Sequence, residues 1–476
     1  MRKEYEMAIG LEVHVELSTN TKIFCGCSTK FGKQPNTQTC PVCTGMPGAL
    51  PVLNKKVVEY ALKAGIALDC EINQYSMFDR KNYFYPDKPQ GYQISQLYFP
   101  ICYDGQLEIN TDIGKKQVRI HEIHMEEDAG KLMHDEEEKT SLVDFNRSGV
   151  PLIEIVTEPD MKNAEEVIAF LEKLRCIMQY LEISDCKLQE GSMRVDVNLS
   201  VHPMVEKKLG TRTEMKNLNS FKAVERAIDA ERKRQIDILQ NGGVVTQETR
   251  RWDDNSGNSF AMRTKEDAKD YRYFPDPDLM PLQIDDVWIE QIKKEQPELR
   301  EEKQNRYQIE YQLSKYDAAI ITESKELSVF FEKVVERYNK PKKVVNWISG
   351  EVLRCLKEGH MTINEMRLSP ENFALLVELV EDNVVNKNIA KEVFTEIFYS
   401  NENPKEFIEK NRLGMVSDMV FLEKIVDEVM REYDGAVSEY REGKVKVLGF
   451  LIGQVMKRSQ GKANPIHIED IFKQKM

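Results

Sequence analysis

Several features that mark common protein classes are missing from this sequence. No apolar run is long enough to cross a membrane, and the first residues contain no apolar segment of the kind found in signal peptides. Internal repeats and low-complexity tracts are absent. The motif G-x-x-x-x-G-K-[ST] is also absent, which excludes a P-loop as a nucleotide-binding element. We therefore expect a cytoplasmic globular protein with no membrane partner.

An overall excess of positive charge is lacking as well. The 476 residues include 67 Lys and Arg against 80 Asp and Glu, a net charge of −13. This argues against a protein that coats nucleic acid by charge alone, and we expect no DNA partner. Residues 443–476 differ from the rest of the chain, because they include seven basic residues and only two acidic ones, a local charge of +5. We interpret this segment as a phosphate-facing tail; a solvated helical face is the alternative.

What the sequence does have is acidic side chains at strand spacing, most densely in residues 119–131. The segment R-I-H-E-I-H-M-E-E-D-A-G-K holds two histidines, three glutamates and an aspartate. Alternate side chains of a strand share a face. One predicted face carries Glu122, His124 and Glu126. The other carries His121, Ile123 and Met125. The carboxylates of the first face repel one another unless a cation such as Mg²⁺ lies against them; a solvated edge strand is the alternative.

Residues 9–17 form a second strand of the same kind. The apolar face alternates with a polar face that carries Glu12, His14 and Glu16. One strand of this type is ordinary, whereas two in one domain suggest a shared polar basin.

Residues 150–156 are an apolar strand interrupted by Glu154, whose neighbours on the same face are apolar. Burying its carboxylate is costly unless the group is paired or bound to a metal. A salt bridge to an unidentified arginine is the alternative. Two more segments, residues 193–201 and 211–216, place Asp196 and Glu214 on polar faces. Together these strands predict a sheet that packs one side on the core and lines a metal-binding cleft with the other.

The cysteines fall into two classes. Cys25-x-Cys27 and Cys40-P-V-Cys43 are two close pairs separated by twelve residues, which resembles zinc-ribbon spacing apart from the short first pair. Four thiolates close a tetrahedral shell, so we expect a structural Zn²⁺ rather than free thiols at residues 25–43. The other cysteines are scattered, and we interpret them as core residues.

The periodicity divides the chain into three parts. Helices are predicted at 55–67, 164–181 and 219–240 among the strands of residues 1–293, whereas helical patterns alone follow. We predict an α+β fold: an N-terminal domain (1–293) built on antiparallel sheet with flanking helices, an all-α domain (294–405) and a small helical tail (406–476). Residues 79–96 form an aromatic-rich loop that is suited to a base, a ribose or a nucleotide terminus; a self-packed surface loop is the alternative.

Long motifs in these segments resemble one family. They are G-L-E-V-H-V-E-L, C-P-V-C-x-G-x-P-G-x-L-P-V-x-N, D-R-K-N-Y-F-Y-P-D-x-P-x-G-Y-Q-I-S-Q, H-x-E-E-D-A-G-K, D-F-N-R-x-G-V-P-L-x-E-I-V-T-E-P-D, E-G-S-M-R-x-D-V-N-x-S and T-R-T-E-x-K-N-L-N-S-F. They span roughly residues 9–281 and are similar to the B-subunit family of the tRNA-dependent aspartyl/glutamyl amidotransferases (GatB). The C-terminal region resembles the YqeY family.

The resemblance implies a cradle domain that uses ATP to phosphorylate the side-chain carboxylate of Glu mischarged on tRNA(Gln), or of Asp on tRNA(Asn). Ammonia then displaces phosphate, so the enzyme is a ligase that forms a C–N bond. The ammonia would come from a separate glutaminase (GatA), and a small third protein (GatC) would clasp the pair. The lack of a recognisable amidase Ser/Lys constellation in this chain agrees with a separate glutaminase. The tail is implied to contact the body of the tRNA.

Residue roles follow from the resemblance and the strand patterns together. The Mg²⁺ and ATP cluster is predicted to be Glu12, His14, Glu126 and Glu154. The further candidates for ATP or substrate are Tyr83, Asp196 and Glu214. Tyr83 is assigned a place beside the 3′-terminal adenosine or at an ammonia gate. The candidates for contact with the tRNA body are Lys457, Arg458 and Lys462.

Two other functions stay open at this point. The chain could be a tRNA-binding scaffold whose carboxylates are structural, which predicts neither ATP turnover nor a Mg²⁺ requirement. It could also be the archaeal-type protein specific for Glu-tRNA(Gln), although no inserted domain interrupts residues 280–330.

Overall fold

The structure is a computed structural model that describes residues 4–135, 139–205, 208–264, 271–414, 419–459, 463 and 465–476. The chain forms two compact units, Met1–Leu299 and Arg300–Met476. Among the described helices, none is both long and apolar enough to cross a bilayer.

The first unit is built on one large sheet. Its strands, in chain order, are β1 (Tyr5–Glu16), β2 (Glu71–Ile72), β3 (Tyr75–Ser76), β4 (Asp79–Asn82), β5 (Tyr92–Ser95), β6 (Cys102–Thr111), β7 (Gly114–Glu127), β8 (Lys131–Asp135), β9 (Thr140–Asp144), β10 (Pro151–Thr157), β11 (Met193–Pro203), β12 (Thr213–Lys216), β13 (Glu248–Asp253), β14 (Asn258–Thr264), β15 (Phe274–Pro275) and β16 (Leu282–Gln283).

Nine of these strands form the main sheet in the order β14-β13-β12-β11-β1-β10-β7-β6-β2. Neighbours pair antiparallel except β12 and β13, which are parallel. Strands β8 and β9 form a separate hairpin. Because most pairs are antiparallel, one face of the sheet can pack on the core while the other stays polar.

Helices cover the apolar face of the sheet. They are α1 (Lys55–Ala67), α2 (Ala164–Tyr180) and α3 (Phe221–Gln240), followed by α4 (Asp286–Glu295). The side chains of Asn54, Asn163 and Ser220 cap the first three helices by accepting hydrogen bonds from backbone N–H groups of the first turn. The predictions of helix at 55–67, 164–181 and 219–240 are therefore confirmed to within two residues at each end. The alternate residues Leu11, Val13 and Val15 of β1 are buried in the same core.

One detail of the strand prediction is wrong. Strict alternation places His121 on the same face as Ile123, but the pairing of β10 with β7 shifts between Val156 and Thr157. His121 is the additional residue of this β-bulge, so Ile120 and Ile123 both reach the core. His121 lies outside, where its Nδ1 is 2.9 Å from Glu158 Oε1. The predicted face of Glu122, His124 and Glu126 is not affected.

The second unit is helical in its described part. Its α-helices are α5 (Arg300–Glu310), α6 (Lys315–Ile321), α7 (Lys325–Arg337), α8 (Pro341–Trp347), α9 (Leu353–Glu358), α10 (Pro370–Glu381), α11 (Lys387–Ser400), α12 (Pro404–Lys410), α13 (Met419–Glu432), α14 (Asp434–Arg441), α15 (Val447–Arg458) and α16 (Pro465–Lys475). A π-helical turn (Ile348–Val352) joins α8 to α9, and a 3₁₀ turn occupies Ile363–Glu365.

The architecture is thus mixed, with a large sheet and many helices, consistent with the α+β class. Helix α4 lies across the boundary predicted at residue 293, because Ile289 and Ile292 pack into the core of the first unit. Helix α12 lies across the boundary predicted at 405, and Ile408 packs with the residues before it. The three-domain division stays a prediction.

Candidate active site

The polar face of the sheet centres on three adjacent interior strands. Strand β7 pairs with β10 on one side and with β6 on the other, so the 119–131 segment is not a solvated edge. His14 of β1 lies directly opposite Glu154 of β10, and Glu154 lies opposite His124 of β7. On the other side His14 lies opposite Arg194 of β11. The antiparallel register therefore lines up two imidazoles, a carboxylate and a guanidinium in one row.

Three side chains of this region converge closely enough to share one ion. His14 Nε2 is 3.4 Å from Glu126 Oε1 and 3.3 Å from Glu154 Oε2. These three residues, which we call the first acidic group, each offer one ligand atom, and the three atoms lie within 4.8 Å of one another. Ligands at right angles around Mg²⁺, each about 2.1 Å from the ion, lie about 3.0 Å apart. The first acidic group therefore fits a divalent cation with little rearrangement.

His124 supports this group from the neighbouring strand. Its Nε2 is 2.8 Å from Glu154 Oε2, whereas its Nδ1 is buried with no hydrogen-bond partner. Glu122 Oε1 lies 3.6 Å from that Nδ1, beyond hydrogen-bonding distance. An imidazole that holds a ligating carboxylate in place is a common outer-shell arrangement around metals.

The electrostatics of this group show how much positive charge it requires. Burial favours the neutral form of Glu154, but His14 and His124 outweigh burial and hold the pKa of that carboxyl well below its usual range. Burial opposes the charge of His124 too, yet Glu154, Glu122 and Glu126 raise its pKa to about 10. For His14, burial is again outweighed by Glu154 and Glu126, and its pKa is raised. Within the chain, imidazolium charge compensates the carboxylates, and a bound cation would take over that role.

Glu12 belongs to a second acidic group, together with Asp196 and Glu214. Glu12 lies opposite Asp196 across β1 and β11, and Asn198 Nδ2 donates to Glu12 Oε1 at 2.9 Å. Burial, Glu154 and Glu214 raise the pKa of Glu12. The three ligand atoms are carboxylate oxygens, the donor type that Mg²⁺ prefers.

Lys216 compensates the second acidic group. Its Nζ is 2.8 Å from Glu214 Oε1 and also contacts Asp196. Burial opposes the charge of Lys216, but Asp196 and Glu214 raise its pKa above the usual value. The structure thus distributes the four predicted Mg²⁺ ligands over two neighbouring groups: His14, Glu126 and Glu154 in the first, and Glu12 in the second. The metal assignment of all four stays a prediction.

The prediction of a loop at 79–96 is wrong for both of its ends, because residues 79–82 and 92–95 pair as the antiparallel strands β4 and β5, a pairing that the local pattern does not reveal. Tyr83 directly follows β4, in the connection between these strands. Its ring packs edge-on against Tyr271, with centroids 5.8 Å apart. Burial, Asp87 and Glu126 raise the pKa of the Tyr83 hydroxyl, which keeps it a hydrogen-bond donor at neutral pH. Its role with ATP, adenosine or ammonia stays a prediction.

Two cations that the sequence analysis did not assign also face the acidic side chains. Lys81 lies over the ring of Tyr271, with 5.0 Å between Nζ and the centroid; burial opposes its charge, but Tyr273, Glu126 and Glu154 raise its pKa. Arg194 donates to Asp128 Oδ1 at 3.1 Å. Alternation gave a signal for Arg194, which occupies a polar position in the recognised strand 193–201, but not for Lys81, whose strand β4 lies in a segment that was predicted as a loop. Local alternation does not reveal which acid each cation faces.

The four predicted zinc ligands converge. The sulfurs of Cys25, Cys27, Cys40 and Cys43 lie within 4.8 Å of one another, and those of Cys40 and Cys43 are 3.9 Å apart. Four sulfurs placed about 2.3 Å from zinc at tetrahedral angles lie about 3.8 Å apart. A hydrogen bond from Cys25 lowers the pKa of Cys43 to about 4. The site therefore fits a structural zinc ion that has no open coordination position.

The predicted tRNA-body residues have different environments. Lys457 is exposed on α15, and no acidic partner contacts it within the described residues. Arg458 pairs with Glu428 and Glu432. Lys462 lies outside the described residues. Among the other tail cations, those with acidic partners are Lys444, Lys473 and Lys475. Much of the local +5 charge is therefore compensated by acids that lie elsewhere in the tail.

Comparison with known proteins agrees with this geometry. Residues 7–290 match the family model of the GatB/GatE catalytic domain, and residues 329–476 match that of the GatB domain. The chain is similar to the B subunits of the aspartyl/glutamyl-tRNA(Asn/Gln) amidotransferases from Lachnoclostridium phytofermentans (58% identity over 472 residues), Agathobacter rectalis (59% over 470) and Caldicellulosiruptor bescii (53% over 476). Each match covers 99% of both chains. The chain therefore belongs to the GatB family, the B subunits of the aspartyl/glutamyl-tRNA amidotransferases.

Proposed function

We propose that this chain activates the side-chain carboxylate of Glu on tRNA(Gln) or of Asp on tRNA(Asn) and converts it into the amide. A carboxylate oxygen attacks the γ-phosphorus of ATP, ADP leaves, and an acyl phosphate forms. Ammonia then attacks the acyl carbon, and inorganic phosphate leaves. The first step is needed because a carboxylate oxygen is a poor leaving group whereas phosphate is a good one.

The observation that carries this proposal is the convergence of two acidic groups on adjacent interior strands. His14, Glu126 and Glu154 fit one divalent cation, and the oxygens of Glu12, Asp196 and Glu214 fit a second. Mg²⁺ bound there would neutralise the phosphate oxygens, whose charge is the main obstacle to phosphoryl transfer. Ligands on paired strands are held more rigidly than ligands on loops, which suits a reaction that depends on positioning.

The other side chains of the site have roles that follow from their contacts. His124 orients Glu154 through the 2.8 Å contact. Lys81 and Arg194 place two positive charges beside the acidic residues, where they can bind phosphate oxygens or the α-carbonyl side of the substrate. A zinc ion held by the four cysteines would have no open coordination position and would brace the 25–43 loop.

Partners follow from the family. The relatives are named as one subunit of an amidotransferase that acts on tRNA, so we propose that a glutaminase partner, GatA, supplies ammonia and that a small protein, GatC, completes the complex. We further propose a cytoplasmic location and a tail that contacts the body of the tRNA. Whether Asp-tRNA(Asn), Glu-tRNA(Gln) or both are used depends on the mischarged tRNAs of the host.

Hydrolysis of ATP by the reconstituted complex tests the proposal. We expect ADP release that requires both Mg²⁺ and mischarged tRNA, with uncharged tRNA as the control. A scaffold whose carboxylates are only structural would instead bind tRNA without ATP turnover and without a Mg²⁺ requirement.

A further inference from the structure

Lys22 is a buried cation that takes no part in either acidic group. It precedes the 25–43 loop, and 0% of its surface is accessible to solvent. Lysines are almost never buried completely unless they are paired, and this side chain is too deep to reach water with its charged end. Whatever compensates the charge of Lys22 must therefore lie inside the protein.

No carboxylate compensates Lys22 in the part of the chain that the structure describes. Its Nζ donates to the Phe145 carbonyl at 3.1 Å, and no acid contacts it. Glu127 lines the same cavity, but the Glu127 carboxylate accepts from Gln90 Nε2 at 2.5 Å and from the Ile94 N–H at 3.0 Å. One neutral carbonyl does not offset the cost of burying an ammonium group, which carries a full charge and three donors.

The sulfurs of the predicted zinc ligands lie next to this ammonium group. Lys22 lines one cavity together with Cys25 and Cys43. A hydrogen bond from Cys25 lowers the pKa of the Cys43 thiol most, and a backbone hydrogen bond from Cys40, the charge of Lys22 and a hydrogen bond from Lys22 lower it further. The ammonium group of Lys22 therefore contacts the Cys43 sulfur.

The surrounding backbone fixes Lys22 in this position. Its N–H donates to the Cys27 carbonyl at 2.9 Å. On the other side lies Gly149, where a Cβ would be 3.6 Å from Lys22 Cδ and 3.6 Å from Cys43 Cβ. Ser148 Oγ donates to the Cys43 carbonyl at 2.9 Å. Lys22, Cys43 and the turn before β10 are thus packed as one unit.

A zinc ion bound by the four cysteines would leave negative charge that requires compensation, because Zn²⁺ with four thiolates is a dianion. Cys43 is buried, and the other three cysteines are only partly accessible. Lys30 and Lys33, two other lysines near the cluster in sequence, are exposed, and water and salt screen their charge. Lys22 has no access to water, so its attraction to the sulfurs is much stronger.

We infer that Lys22 is an outer-shell cation of the zinc site, in which its ammonium group donates to the Cys43 sulfur and offsets part of the negative charge of the bound cluster. The inference rests on the zinc site of the proposed function and adds a residue that the cysteine spacing does not reveal. A donor of this kind holds a ligand in place and withdraws electron density from the sulfur. Lys22 therefore tightens zinc binding and makes the Cys43 thiolate a weaker nucleophile.

The test uses the full chain as wild type and as three variants. Lys22→Met keeps the length of the side chain but removes its charge and its donors, whereas Lys22→Arg keeps the charge. Lys30→Met, at an exposed lysine close to the same cysteines, is the matched control. Zinc affinity is measured by competition with a chromogenic chelator. The electronic state of the sulfurs is measured by the sulfur-to-cobalt charge-transfer absorption of the Co²⁺-substituted protein.

We expect Lys22→Met to bind zinc about 10–100-fold more weakly than wild type, which is the usual scale for loss of an outer-shell partner. Its charge-transfer band should move to longer wavelength, because removal of a nearby positive charge raises the energy of the sulfur lone pairs. The cobalt d–d bands should stay in place, since the four ligands are unchanged. Lys22→Arg should have a band closer to that of wild type, and Lys30→Met should match wild type in both measurements.

Zinc affinity and band position equal to those of wild type in Lys22→Met would overturn the inference. Weaker zinc binding with an unmoved band would also overturn it, because that result leaves Lys22 with a packing role alone. If Lys22→Met does not fold, a crystal structure of the zinc-loaded wild type decides: contact of Nζ with the Cys43 sulfur supports the inference, and an ammonium group turned away from that sulfur contradicts it.

A wild-type chain that binds neither zinc nor cobalt would overturn the inference together with the zinc site. Failure of the proposed phosphorylation is a separate outcome, seen as absence of ATP turnover with mischarged tRNA in the wild-type complex.

Discussion

His14 and Glu154 lie directly opposite each other on β1 and β10, and His14 Nε2 is 3.3 Å from Glu154 Oε2. Both side chains lie on the interior of a nine-stranded sheet rather than at its edge. A slip of one residue between these strands would send one of the pair to the apolar core. The core packing of β1 and β10 therefore determines the geometry of the candidate metal site.

Substitution of Glu126 by alanine tests the chemical role of the group that Glu126 forms with His14 and Glu154. In the complex assembled with the glutaminase, we expect amidation of mischarged tRNA to fall by at least about a hundredfold, because losses of about 10–100-fold are already usual for outer-shell partners. Glutaminase activity should persist. Glu108→Ala, a partly exposed glutamate that pairs with Lys115 on the same sheet, is the control. Normal amidation by the Glu126 variant would remove the central role given to that carboxylate.

Except at the bulge beside His121, alternation of polar and apolar residues was enough to predict which faces are polar, because side chains alternate in direction along a regular strand. It could not show that the polar residues form two groups. Glu12 lies opposite the apolar Val156 on β10 and opposite Asp196 on β11, so it joins the second acidic group. That assignment depends on the register between strands far apart in sequence.

Two other features lay beyond the local pattern for similar reasons. The bulge at His121 changes the count of residues between paired strands, and alternation assumes that this count is equal. The acids that compensate Arg458 and Lys475 come from α13, an earlier helix, so a charge count over residues 443–476 overstated the free positive charge. The cysteine spacing was more informative, because four ligands of one type within a short loop restrict the geometry strongly.

Loss of zinc ligands should affect the loop before the rest of the fold. We expect Cys25→Ser/Cys43→Ser to purify without zinc and to be cut within residues 25–43 by a protease that leaves wild type intact, because the metal replaces packing in this loop. Cys70→Ser, outside the cluster, should retain one zinc ion per chain by elemental analysis. A double variant with full zinc content would contradict the assignment.

In the second unit, Glu332 makes stability depend on pH. It accepts hydrogen bonds from Lys303 Nζ at 2.6 Å, Tyr307 Oη at 2.9 Å and Arg306. Burial favours the neutral acid, but these partners outweigh burial and lower the pKa of Glu332 from its usual value. The unfolded chain then binds more protons, so this stabilisation is present above the unfolded pKa and is lost as pH falls through the folded pKa.

Urea unfolding of the full chain measures this effect. We expect Glu332→Gln to lower the stability of the second unit by about 1–3 kcal/mol at pH 7. Between about pH 5 and about pH 3, the free energy of unfolding of Glu332→Gln should fall by less than that of wild type. Glu336→Gln, an exposed glutamate of the same helix, should behave as wild type. An equal acid-dependent loss in Glu332→Gln and wild type would contradict the role of this carboxylate.

Shortening the tail should affect tRNA binding more than chemistry. A deletion from residue 406 would cut helix α12, so the structure favours a chain that ends at Gly414. We expect this variant to raise KM for tRNA more than it lowers kcat, since phosphate contacts position the substrate. Lys457→Ala should show a smaller effect of the same kind, whereas Lys473→Ala, whose lysine pairs with Glu469, should show less. An unchanged KM in the shortened chain would refute the role of the tail.

The most direct measurement is a crystal structure with Mn²⁺ and a non-hydrolysable ATP analogue, in which anomalous scattering locates the metal. We predict a manganese peak at ligand distance from His14, Glu126 and Glu154, with phosphate oxygens of the analogue completing its coordination. A bound analogue with manganese only at other positions, and with no peak among these three side chains, would contradict the proposal that they hold the ion that assists phosphoryl transfer.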